Sequence, residues 1–135
     1  AGRPPDPRLD RLLSRVPTTK SILTNSAAEY AQRVLVALGV QRHFDRVFDI
    51  RTRGYLGKPH PEVYEHVLCA LGASPEECLF VDDSRRNILG AQRMGILTVH
   101  LDCGDECVGD HHIAEICELE SLLADMGLLE SEVDE

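Results

Sequence analysis

Short apolar runs alternate along the chain with longer stretches in which apolar residues recur every three or four positions, the periodicities of buried strands and of one-sided helices. The first helical stretch runs from about Pro7 to Arg15, with Asp6 as its cap and Leu9, Leu12, Leu13 and Val16 on one face. A strand is expected at Ser21–Thr24, then a helix at Ala27–Leu38 whose Ala31, Val34, Leu35 and Leu38 form a stripe closed by Gly39. A strand at Val47–Ile50 leads through a loop to a helix at Pro61–Leu71, which buries Val63, Val67 and Leu71 and stops at Gly72. A strand at Leu79–Val81 precedes a helix that ends before Gly95, and Leu97–Leu101 form the next strand. A last helix covers Glu115–Met126, with Ile116, Leu119, Leu122, Leu123 and Met126 facing inwards. Helix and strand alternate throughout, which predicts an α/β fold: a parallel sheet with helices on both faces. No internal repeat, low-complexity segment or second domain is visible.

Three junctions in this pattern carry chemistry. The first, Cys78-Leu79-Phe80-Val81-Asp82-Asp83-Ser84 with Asn87 beyond, sets two adjacent carboxylates at the carboxyl edge of a strand, where open α/β sheets bind ligands. Mg²⁺ takes oxygen ligands, usually one or two carboxylates completed by water and substrate phosphate. The plainer alternative is that Asp83 or Ser84 only caps the helix beginning near Arg85. The second, Ser21-Ile22-Leu23-Thr24-Asn25-Ser26, ends in hydroxyl and amide groups, and Ser26-Ala27-Ala28-Glu29 has the form of a capping box whose helix amides would favour an anion. The third, Gly57-Lys58-Pro59-His60-Pro61, holds one lysine between a permissive glycine and stiffening prolines, with His60 as helix cap and Pro61 at the first helical position. A compact ammonium there suits phosphate, although an ordinary solvated loop lysine would have the same residue type.

In chain order, a strand-end hydroxyl (Thr24), a lysine before a helix (Lys58) and a carboxylate pair (Asp82, Asp83) resemble the second, third and fourth motifs of the haloacid dehalogenase-like (HAD) hydrolase superfamily. The stretch from about Leu9 to Leu101 looks like one continuous piece of that fold. Leu-Thr-Asn, Gly-Lys-Pro-His-Pro-Glu and Val-Asp-Asp-Ser-x-x-Asn most resemble its pyrimidine 5′-nucleotidase branch. The resemblance implies a Rossmann-like core and Mg²⁺-dependent hydrolysis of a phosphate monoester, a nucleoside 5′-monophosphate among them, through an aspartyl-phosphate. It assigns Thr24, Asn25 and Lys58 to phosphate binding, with Thr24 and Lys58 acting in catalysis. Asp83 would ligate the metal, Asp82 would share that role or bond a coordinated water, and Asn87 and Ser84 would support the carboxylates.

The superfamily's first motif, Asp-x-Asp-x-Thr/Val, supplies the attacking aspartate and the acid for the leaving group. These 135 residues contain no such string. Val47-Phe48-Asp49-Ile50-Arg51-Thr52 puts arginine at the second aspartate and follows Thr24 instead of preceding it; Asp6-Pro7-Arg8-Leu9-Asp10 has the wrong spacing. The resemblance therefore implies that the nucleophile strand and the cap segment are missing, that residues 1–129 are a partial HAD core, and that the chain alone is inactive. A non-catalytic phosphate- or partner-binding remnant is the competing reading. Loss of a central strand would split the sheet and expose backbone groups costing about 1 to 3 kcal/mol each when buried unpaired, against a typical stability of roughly 5 to 15 kcal/mol. The two flanking strands would close up, another chain would supply the strand, or the piece would be poorly stable.

Composition fits an ordinary globular protein: 43% hydrophobic and 27% charged residues. The formal charge of −9 argues against nucleic-acid binding. Residues 130–135 read as an acidic, solvated tail, while Lys58, Arg85 and Arg86 would supply a local positive spot. The absence of a bilayer-length apolar run and of an apolar leader at Ala1–Pro5 leads to the expectation of a cytoplasmic protein without membrane partners. Five cysteines, an odd number, are expected to be reduced, with Cys69 and Cys78 buried. Cys103, Cys107 and His111, with His112 and Cys117 nearby, offer zinc-ligand types at a spacing of no common zinc module, and the plainer reading is a loop leading to the last helix.

Overall fold

A computed structural model describes residues 5–130. They divide into two compact units, one built from the residues up to Asp49 together with those from Ile116 onward, the other from Ile50–Glu115.

In the first unit, helix α1 (Pro7–Ser14) starts where proline fixes the first helical φ and the Asp6 carboxylate accepts the Leu9 amide at 3.0 Å. Strand β1 (Ser21–Leu23) pairs in parallel with β2 (Arg46–Phe48), Ile22 opposite Val47. Between them, α2 (Ala28–Leu38) ends at Gly39, whose φ of 76° is the left-handed conformation a glycine adopts without strain. Leu13, Leu35 and Val40 are buried together, and Leu9, Ile22, Leu38, Phe44 and Val47 pack against them. The predicted last helix begins instead as a single 3₁₀ turn, Ile116–Glu118, before α5 (Leu119–Asp125), which buries Leu119 and Leu123. At the start of the predicted acidic tail, the Glu130 amide donates to the Arg15 carbonyl at 2.9 Å; residues 131–135 lie outside the described residues.

In the second unit, α3 (Pro61–Leu71) runs to Gly72, and β3 (Leu79–Asp82), α4 (Arg85–Arg93), β4 (Leu97–Leu101) and β5 (His111–Ile113) follow. The three strands form a parallel sheet in the order β3, β4, β5, with Asp82 opposite His100. Among the described residues all strand pairing is thus parallel, and the α/β class expected from the alternation is the one adopted.

Several local expectations need correction. The Ser26–Glu29 capping box does not form: Ala27 occupies the cap position, and the Ala28 amide is taken at 2.9 Å by the carboxylate of Asp49, which sits just past β2. A carboxylate offers a stronger charge-assisted bond than a serine hydroxyl. His60 stands at the cap position of α3 but its side chain makes no capping bond. That helix buries Val63, Tyr64 and Leu68, with Val67 and Leu71 only half-buried. Cys69 is exposed rather than buried.

The segment after β4 departs furthest from expectation. Cys103 and Cys107 are joined in a disulfide, their Cα atoms 5.0 Å apart across a tight turn, so these two thiols are not reduced. His111 enters β5 instead of a loop. Among the described residues, no group of three or more His, Cys, Asp or Glu is arranged to hold a metal ion, and no helix is long and apolar enough to cross a membrane.

Candidate functional site

The apolar run Leu79-Phe80-Val81 forms β3 and delivers Asp82 at the strand's carboxyl end. Asp82 does not project freely. Its Oδ2 accepts from the Lys58 ammonium at 2.7 Å and from the Asn87 amide nitrogen at 3.2 Å, while Oδ1 accepts from the Ser84 amide at 2.8 Å. The Lys58 and Asp82 side chains are 9% and 8% exposed. Burial would push the Asp82 carboxyl up, but the Lys58 bond and charge, the Ser84 amide and the Asn87 amide together outweigh it and hold the carboxyl below its ordinary range.

The lysine is held by its neighbours as well as by its partner. Its Nζ lies 5.5 Å from the centroid of the Phe80 ring, and Tyr64 meets that ring edge-on at 5.8 Å. The Tyr64 hydroxyl donates to the Asn87 carbonyl at 2.7 Å; burial and the Asp82 charge push this phenol well above its usual range. The Lys58–Pro59 peptide is cis. Gly90 of α4 allows Pro59 to come close: a Cβ at Gly90 would lie 2.8 Å from the Pro59 Cβ and 3.1 Å from its carbonyl oxygen. Asn87 and Gly90, one helical turn apart, thus face opposite ends of the same loop-to-strand contact.

Asp83 contrasts with Asp82. It is exposed, and its carboxylate makes no bond among the described residues; only its main-chain carbonyl is engaged, 3.0 Å from His100 Nε2. Ser84 caps α4, its hydroxyl accepting from the Asn87 amide at 3.3 Å. The capping role weighed from the sequence is therefore filled by Ser84, not by Asp83. Arg85 and Arg86 are exposed, and the charge of Lys58 is matched by Asp82, so the expected three-residue positive spot is reduced to its two arginines.

Thr24 and Asn25 belong to the first unit. The Thr24 amide extends the β1–β2 ladder by donating to the Phe48 carbonyl at 2.9 Å, and its hydroxyl folds back on Ser26, 3.0 Å from that amide and 2.7 Å from the Ser26 hydroxyl. Asn25 is exposed. A cleft of about 310 Å³ in this unit is lined by Gln32, Leu35, Gln41, Arg42, Phe44 and Val47, none of which the sequence marked as a site residue.

Comparison with known proteins decides the family. The model of the haloacid dehalogenase-like hydrolases matches residues 19–95, a span that includes Thr24, Lys58, Asp82, Asp83 and Asn87. The chain belongs to the haloacid dehalogenase-like hydrolases. A phosphoserine phosphatase of Thermus thermophilus is 34% identical to it over 85 residues, 62% of this chain and 34% of that protein. A phosphoglycolate phosphatase of Salmonella paratyphi A is 34% identical over 86 residues, 62% of this chain and 32% of the relative. The L-2-haloacid dehalogenase of Xanthobacter autotrophicus, solved with chloropropionic acid covalently bound, superposes with a TM-score of 0.77 at 22% identity, over 91% of this chain and 62% of the dehalogenase. That likeness concerns the fold. This hydrolase-family chain spans about a third of the length of the two curated relatives.

Sequence reasoning did not single out His100, Tyr64 or Gly90, and it weighed Asp49 only as part of a string rejected as the first motif. A histidine inside the apolar strand Leu97–Leu101 was a readable signal, because a buried imidazole needs partners on both nitrogens. The contacts of Tyr64 and Gly90 depend on how α3 and α4 pack, which no local pattern states.

Proposed function

We propose that this chain carries the lysine-and-carboxylate part of a Mg²⁺-dependent phosphate-monoester hydrolase, the C-terminal part of a phosphatase that works through an aspartyl-phosphate. The observation behind this reading is the buried contact of Lys58 with Asp82 at 2.7 Å beside the uncommitted carboxylate of Asp83. Two curated phosphatases at 34% identity support phosphate-ester chemistry.

The donor chemistry fits Mg²⁺. The ion takes hard oxygen ligands and keeps several waters, so a single accessible carboxylate, completed by water and substrate phosphate, is enough protein to hold it. Asp83 would hold the ion, and Asp82, fixed by Lys58, Ser84 and Asn87, would bond its coordinated water. When bound, Mg²⁺ supplies charge neutralisation at the transferred phosphoryl group. Lys58, already held by Asp82, would share its positive charge with the same developing negative charge. The Thr24 hydroxyl and the amides around Asn25 would bind phosphate oxygens.

The attacking carboxylate of this route is not among these 135 residues in the Asp-x-Asp form, so it would come from a longer polypeptide or from a second chain that also adds a strand. The resemblance of the Leu23–Asn25, Gly57–Glu62 and Val81–Asn87 motifs to the pyrimidine 5′-nucleotidase branch favours a nucleoside 5′-monophosphate as substrate. The missing Asp-x-Asp string equally favours a second reading, a phosphate-binding or partner-binding module without catalysis.

Calorimetric titration with Mg²⁺ and inorganic phosphate tests the site: binding that disappears in Asp83→Ala supports it, and no binding by the unmodified chain refutes it. An assay with p-nitrophenyl phosphate and Mg²⁺ is expected to give no turnover by the chain alone. Robust turnover abolished by Asp83→Ala would mean that the nucleophile lies within the chain after all. An Asp-x-Asp-x-Thr string in the coding sequence ahead of Ala1 favours the hydrolase; its absence, with binding retained, favours the binding module.

A further inference from the structure

We infer that His100 is a positioning residue for Asp83, setting the place of the carboxylate that would receive the cation; the inference rests on the reading of Asp83 given above. His100 is 2% exposed, next to last in β4 and opposite Asp82 in the strand register. Its two ring nitrogens have different partners. Nδ1 lies 3.2 Å from the Val108 amide, which can only donate, so Nδ1 accepts. The neutral ring must then carry its proton on Nε2, which lies 3.0 Å from the Asp83 carbonyl oxygen and donates to it.

The Val108 end of this link is anchored. Gln92 donates to the Val108 carbonyl at 2.7 Å. Two residues further on, the Asp110 carboxylate accepts both the Thr98 amide and the Thr98 hydroxyl at 2.9 Å, and the Asp110 amide donates back to that hydroxyl at 3.1 Å. Gly109 lies so close to β4 that a Cβ there would be 2.8 Å from the His100 amide nitrogen. The ring of His100 is thereby fixed in plane and tautomer from the loop side, and it passes that constraint to the Asp83 main chain.

On the Asp83 side, the constraint is needed. The carboxylate of Asp83 makes no bond among the described residues, so its position is determined through its backbone alone. That backbone is held ahead of the residue by β3 pairing, behind it by the Ser84 amide on Asp82, and at its own carbonyl by His100. Removing the His100 donor frees the peptide that aims the ligand.

Two substitutions separate the two ends of the ring. His100→Asn keeps an acceptor near the Nδ1 position but loses the donor to Asp83; His100→Gln places an amide donor near Nε2 and loses the Val108 bond. The probe is Mn²⁺, with the free ion measured by electron paramagnetic resonance against the whole chain. We expect binding by the unmodified chain, loss in Asp83→Asn, about tenfold weaker binding in His100→Asn, and recovery of most of that loss in His100→Gln, although each His100 variant gives up one of the two buried bonds. Equal affinity in His100→Asn and the unmodified chain overturns the inference, as does affinity that follows melting temperature regardless of which bond is lost. Absence of Mn²⁺ binding by the unmodified chain overturns the reading of Asp83, and this inference with it. Should His100→Asn fail to fold, ¹H–¹⁵N correlation of the imidazoles in the unmodified chain decides: the Nε2–H tautomer with ring signals that move on Mg²⁺ saturation is expected, and the Nδ1–H tautomer or signals indifferent to Mg²⁺ overturns the proposal.

Discussion

The Lys58 ammonium and the Asp82 carboxylate lie 2.7 Å apart, each about nine-tenths buried. Such a pair recovers its desolvation cost only while both members are present, and removing one leaves an uncompensated charge. Lys58→Met should therefore destabilise the protein by about 3 kcal/mol or more, measured by urea unfolding. A loss below about 1 kcal/mol, the value of an exposed pair, would contradict the burial described here.

The pH dependence follows from the same carboxylate. Its folded-state titration lies below the ordinary value of 3.8, so the folded protein binds this proton less readily than the unfolded chain. Stability from Asp82 is then fully present above the ordinary carboxylate range and is lost as pH falls through it. The difference in unfolding free energy between the unmodified chain and Asp82→Asn should be flat near neutrality and shrink as the solution is acidified below about pH 4. A difference that grows on acidification would reverse the sign argued here.

Gly90→Ala tests the approach of Pro59 to α4. The added methyl would meet the Pro59 ring at 2.8 Å and its carbonyl at 3.1 Å, and a proline ring cannot rotate away. Although alanine favours helices, overpacking should dominate and cost about 1 to 3 kcal/mol, with amide shifts concentrated in the Lys58 loop. A stabilised variant with an unmoved loop would show that the helix has room to give.

Asp49 offers a test in the first unit. Its carboxylate caps α2 at the Ala28 amide, and Asp49→Ala should lower stability by about 1 kcal/mol or more, with amide exchange fastest in the first turn of α2. Ser26→Ala should have a smaller effect on that turn, because the Ser26 hydroxyl bonds Thr24 and not the helix.

Much of the fold was legible because its signals are local. Asp6, Gly39, Pro61 and Gly72 mark helix ends by their own conformational preferences, and the apolar runs at Leu79 and Leu97 are short and bounded. The side chains around Asp82 were named in advance, since lysine, adjacent carboxylates and a nearby asparagine form a recognisable set. What the sequence did not express was the division of labour. That Asp82 is saturated and Asp83 is open depends on which side of the strand end each one faces. The Cys103–Cys107 disulfide, the β5 strand and the replacement of Ser26 by Asp49 each arise from meetings across space, where residue type alone leaves several partners in competition.

Helix α4 works as a gauge. Asn87 touches the strand-end carboxylate and Gly90 admits the proline beside the lysine, so one turn of helix measures out the gap between cation and anion. Inserting a single residue between them would rotate Gly90 by about 100° relative to Asn87, so that the two contacts could no longer be made together. Variation that retunes this chemistry has to leave that spacing of three untouched and work through the loops around it.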